Sequence, residues 1–230
     1  MDQQEATYTV GLALFDVIPV ALSVVGCWLL ARLSGRVLPQ VSRIALLGVV
    51  LIGIGGGTKA LWKIILTTLD TDIAWLEQLL FPFLAAGFIT LLWALWSAIV
   101  GRALVWWPFL LVVLLGFAGT IASRTTTPLL AVAAGGALMT SGVAIRWAVR
   151  ERLVLPVVLY AVGMGFSIVL AYLAGPKIEQ TLTAQWIEEI VNVVGQGCFL
   201  LASAILSRTT ASAGAHGQHA QSPSDSPVDA

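Results

Sequence analysis

The chain is poor in charge. Of its 230 residues only 10% are Asp, Glu, Lys or Arg, against 58% hydrophobic residues. A soluble globular domain carries roughly a quarter charged residues, and no water-soluble fold of this length hides so much apolar surface. Histidine is almost as scarce: the two present, His216 and His219, both follow the last apolar run. Without imidazole inside the apolar segments, histidine-ligated haem, zinc hydrolysis and Ser-His proteolysis in the membrane are all excluded. Asp16 is the one aspartate in such a segment, which also excludes a two-aspartate intramembrane protease. Cys27 and Cys198 sit in apolar runs, so no disulfide framework is indicated. Basic residues are missing from Met1 to Thr7, which holds Asp2 and Glu5. That is the wrong charge for a secretory leader, and no cleaved signal peptide is expected.

What the chain has is long apolar stretches, with a mean hydropathy of +0.93. A bilayer-spanning helix needs about 20 mostly apolar residues. The qualifying segments are Val10 to Leu33, Ile44 to Leu69, Leu79 to Val100, Leu104 to Ala122, Pro128 to Trp147, Leu153 to Ala174 and Ala184 to Leu206. Pro108 and Pro128 fall in the first turns of their helices, where proline is tolerated. Only Gly101, Arg102 and Ala103 part the third segment from the fourth. One unbroken helix there would leave six spans.

The expectation is therefore an all-α, seven-helix integral membrane bundle. Short loops on one side hold Arg32, Arg36, Arg43, Arg102, Arg146, Arg150, Arg152 and Arg208, whereas the other side holds Arg124 and Lys177. The arginine-rich side is predicted to be cytoplasmic, with the N-terminus outside and the C-terminus inside. Trp75 and Trp186 are expected at the outer interface, and Trp106, Trp107 and Trp147 at the inner one. Residues 1–9 form a short extracytoplasmic N-terminus and 10–207 the membrane domain. Residues 208–230, rich in Ala, Ser, Gly, Gln and Pro, read as a disordered cytoplasmic tail. This describes a multi-pass protein of the cell membrane whose expected partner is the lipid bilayer. No phosphate-binding loop or basic patch points to nucleic acid, no cofactor is expected, and the oligomeric state is left open.

Ionisable groups inside spans are costly, which makes them candidates for function. They are Asp16 in the first span, Lys59 and Lys63 in the second, and Glu188 and Glu189 at the start of the seventh, followed by Asn192 and Gln196. By helical rise, Asp16 and Lys63 lie about 9 Å below the outer end, Asn192 about 12 Å and Lys59 about 15 Å. All fall in the outer half. Lys59 and Lys63 share a helix face, as do Glu188, Asn192 and Gln196. Both lysines are expected to pair with Asp16 and Glu188 or Glu189 around a small outward-facing cavity. Gly55 to Gly57, just before Lys59, would permit a kink or close helix approach.

A plainer reading stands beside that one. Lys63 is shallow enough to snorkel to the interface, Glu77 and Glu188 could sit among headgroups, and an Asp16–Lys59 pair could fix helix register alone. Seven spans look like a microbial rhodopsin, but the retinal-linking lysine belongs on the last helix, which here has none. The excess of carboxylates (Asp16, Glu77, Glu188, Glu189) over the two lysines favours a cation or proton site. The leading expectation is a bundle that binds or transports a small solute, ion or proton. The alternative is a structural or accessory subunit whose buried charges only set packing. An enzyme, restricted to carboxylate and lysine chemistry on a lipid, comes last.

Overall fold

The computed structural model describes residues 9–69, 71–173 and 181–219, excluding the side chains of 211–219. Among these residues the fold is wholly helical. Helix α1 (Val10–Phe15) and α2 (Val17–Val37) meet at Asp16. A 3-10 turn (Pro39–Val41) leads into α3 (Ser42–Leu69), and short α4 (Ala74–Gln78) precedes α5 (Leu80–Val100). Then come α6 (Trp107–Ser123), α7 (Thr127–Arg150), α8 (Val154–Leu173) and α9 (Leu182–His219). Six helical units are long and apolar enough to cross a membrane, taking α1 with α2 and α4 with α5 as one unit each. The seventh, α6, has 17 residues and a length of about 25 Å, short of a hydrocarbon core of about 30 Å. Residues 220–230 of the expected tail lie outside the described residues, and the backbone of α9 continues past Arg208 to His219.

Proline explains both breaks within the spans. Pro19 has no N–H to offer the Phe15 carbonyl, and Pro82 none for Gln78, so the helix interrupts about four residues upstream of each ring. These are the α1–α2 junction at Asp16 and the α4–α5 junction at Leu79. The narrow gap after α5 is a true stop. Gly101 takes the left-handed conformation (φ 78°), and the Arg102 and Gly101 N–H groups return to the Ser97 carbonyl at 3.2 and 3.0 Å, a Schellman-type end that suits glycine. The following loop is pinned by Trp93, which donates to the Leu104 carbonyl at 3.0 Å, and by Ser97 Oγ, which accepts from the Leu104 N–H at 3.1 Å.

The long helices close into a ring in the order α2, α3, α5, α7, α8, α9 and back to α2, with α6 outside against α5 and α7. Pairings between glycines and side chains set the directions. Gly26 of α2 lies against Phe199 and Leu200 of α9, and Gly136 of α7 against Phe88 and Ile89 of α5. With Asp16 near Glu189 and Arg150 bonded to Ile99, these offsets make α2 parallel to α9 and α5 parallel to α7. The α2–α3, α3–α5 and α8–α9 neighbours are antiparallel. At the α3–α5 crossing a Cβ on Gly48 would fall 2.9 Å from the Gly87 carbonyl oxygen, and one on Gly87 2.8 Å from that of Gly48. Only small residues allow backbones this close. Gly55 packs on α5 in the same way and Gly56 on Val20 of α2, whereas Gly57 faces open space.

The buried core lies toward the arginine-bearing end, where Leu30, Leu33, Leu95, Ala144, Trp147, Tyr160 and Leu206 pack together. Trp147, expected at an interface, is only 5% exposed. Its place on the inner face of α7 sends it into this cluster. Trp75, Trp106 and Trp107 are exposed, together with the apolar outer faces of α6 and α8. Exposed apolar surface on this scale is at home in lipid rather than water.

Candidate functional site

Lys63 is the centre of the polar network. Its Nζ lies 3.0 Å from Asp16 Oδ2 and 2.9 Å from Glu189 Oε1. All three residues are buried, with Lys63 only 5% exposed. Each comes from a different part of the ring: Asp16 from the proline-induced junction before α2, Lys63 from the last turns of α3, and Glu189 from the second turn of α9. Two carboxylates against one ammonium leave the cluster with one formal negative charge. Glu189 Oε2 and Gln185 Oε1, one helical turn apart, are buried without a hydrogen-bond partner among the described residues. Around the cluster, Trp62 donates its indole N–H to Asp72 Oδ1 at 2.9 Å, and Phe15 and Trp186 rings meet at 5.5 Å.

The structure corrects the expected pairing. Lys63 does not snorkel, because it meets both carboxylates at its own depth. Lys59, one turn deeper on the same face of α3, has a side chain with no ion pair or hydrogen bond to another described residue. It instead lines a cavity of about 310 Å³ at the centre of the ring, with Asp16, Ser23, Asn192 and Gln196 among the other wall residues. The rest of that wall is largely apolar, including Leu80, Leu84, Phe88, Leu130 and Leu170. A second cavity, of about 240 Å³, adjoins it between α7, α8 and α9. Ser23, Phe88, Ala134, Ala137 and Gln196 belong to both walls.

Of the seven sequence candidates, Asp16, Lys63 and Glu189 come into contact. Asp16, Lys59, Asn192 and Gln196 share the central cavity, so Asp16 belongs to both groups. Glu188 is half-buried and lines neither cavity. Sequence reasoning missed Gln185, which is 7% exposed; its position one turn before Glu189 was the available signal. It also missed the buried Tyr160–Ser203 hydroxyl pair at 2.9 Å, for which the sequence carried no signal beyond two polar residues in apolar helices.

The ring, the cavity and the apolar exterior define an all-helical protein with the makings of a membrane bundle. No protein-family model, curated protein or solved structure matches the chain.

Proposed function

We propose that the protein is a multi-pass protein of the cell membrane that binds, and in that form carries or senses, a small solute in the cavity ringed by the six long helices. The N-terminus is outside, and the Asp16–Lys63–Glu189 end of the bundle faces outward. One observation carries this reading: Lys63 is already held by two carboxylates, while Lys59 stands in the cavity wall without a described partner. A lysine that only fixed packing would be paired as Lys63 is, since an isolated ammonium deep in a bundle is costly.

The second reading, a structural subunit, is supported by the Lys63 cluster. Its two ion pairs tie α2, α3 and α9 together where the ring closes. The two readings are compatible, with Lys63 as clasp and Lys59 as site.

Filling the cavity separates them. Ala134 lines both chambers, so Ala134→Trp should occlude them. Purified in lipid nanodiscs, the wild-type protein is expected to retain a small molecule detectable by extraction and mass spectrometry. Ala134→Trp should lose it while still folding cooperatively, with its unfolding temperature lowered by no more than the lost ligand accounts for. No difference between the two leaves only the structural subunit.

A further inference from the structure

The chemistry of the two cavities specifies a ligand class, an inference that rests on the ligand-binding reading above. Polar groups gather in the central chamber: Lys59 from α3, and Asn192 and Gln196 one turn apart on α9. None of these three side chains has a hydrogen-bond partner among the described residues. An ammonium and two primary amides form a donor-rich set, complementary to an anionic oxygen group. Asp16 stands in the same wall. Its charge disfavours a second negative charge on the ligand, because like charges repel strongly at low effective dielectric.

The adjoining chamber is apolar in effect. Three of the four hydroxyls in its wall, those of Ser141, Tyr160 and Ser167, are already committed to the protein, and the fourth, Ser23, is shared with the central chamber. Ser141 and Ser167 donate to the Ala137 and Gly163 carbonyls of their own helices, and Tyr160 is bonded to Ser203. The remaining wall includes Leu138, Met164, Ile168 and Phe199. Ile168, on the α8 side, is 63% exposed, so this chamber reaches the outer surface of the bundle, where an apolar chain could enter sideways.

We propose that the joined cavities bind a monocarboxylate with an apolar body, its carboxylate on Lys59, Asn192 and Gln196 and its hydrocarbon part in the α7–α8–α9 chamber. Octanoate is a suitable probe, with n-octanol, octyltrimethylammonium and octyl phosphate as comparisons. Binding would be measured on the full chain in nanodiscs, and the Ala134→Trp protein would report partition into lipid alone. Octanoate should bind saturably and more tightly than the other three. Lys59→Met should weaken it about tenfold or more, the scale of a lost hydrogen bond to a charged group. Lys59→Arg should retain binding, and without octanoate all variants should unfold within about 1 kcal/mol of wild type.

Preference for octyltrimethylammonium, n-octanol or octyl phosphate would overturn the monocarboxylate assignment and leave the cavity as a ligand site. So would octanoate binding that is indifferent to Lys59→Met. Absence of any saturable binding sensitive to Ala134→Trp would overturn both the assignment and the ligand-binding reading.

Discussion

Replacing Lys63 with methionine removes one ammonium and leaves two buried carboxylates facing each other. Their oxygens are less than 6 Å apart, since both lie within 3.0 Å of one nitrogen. At an effective dielectric of about 20, two like charges at that distance repel by about 3 kcal/mol. Breaking a buried ion pair by removing one partner costs about 3 to 5 kcal/mol, so Lys63→Met should destabilise the bundle on that scale. Lys59→Met, at a half-buried site with no described ion pair, should stay within about 1 kcal/mol of wild type. The triple change Lys63→Met, Asp16→Asn and Glu189→Gln removes every charge of the cluster and should recover most of the loss. Reversible unfolding in mixed micelles, followed by tryptophan fluorescence, would measure all three. Should Lys63→Met prove neutral and Lys59→Met costly, the assignment of clasp and cavity residue is wrong.

Other outcomes test the frame around the cluster. Gly48→Leu should destabilise by several kcal/mol, because its side chain would begin 2.9 Å from the Gly87 carbonyl oxygen, whereas Gly57→Ala, facing open space, should be neutral or stabilise by up to about 1 kcal/mol; unfolding midpoints decide. A cysteine at Asp72 should react with an impermeant thiol reagent from outside, and one at Arg102 or Arg150 only after the membrane is opened; reversed labelling would invert the topology. Truncation after Thr210 should leave the unfolding midpoint unchanged, because the last buried apolar side chains among the described residues, Ala202 and Leu206, are retained; a large loss would show that the tail docks.

Much of this arrangement was legible in the residues. Seven apolar segments and their approximate ends follow from hydropathy, although only six become helices long enough to span and α6 falls short, and the α5 stop follows from a glycine that can take φ 78°. Depth arithmetic already placed Asp16 and Lys63 at the same level. Even so, both lysines are expected from the sequence to pair with Asp16 and Glu188 or Glu189, because depth and a shared helix face do not say which lysine meets the carboxylates. The deciding factor was the meeting of three helices: Glu189 reaches the same nitrogen as Asp16 only because α9 runs parallel to α2. That adjacency lies between residues 173 positions apart in the chain, and no periodicity encodes it. Trp147 shows the same limit. An aromatic near a helix end fits an interface belt or a core equally well, and only the direction of its helix face separates the two. From the sequence the first and third spans read as unbroken, yet Pro19 and Pro82 interrupt them, and the Pro19 break is what places Asp16 at a junction.

The most direct test of the account is a high-resolution density map of the protein purified in nanodiscs of its native lipids. An elongated feature is expected in the joined cavities, with its polar end within about 3 Å of Lys59 Nζ and its remainder between α7 and α8. Lys63 should hold Asp16 and Glu189 in the same map. A collapsed cavity, with Lys59 turned onto Asp16 or Glu189, would contradict it.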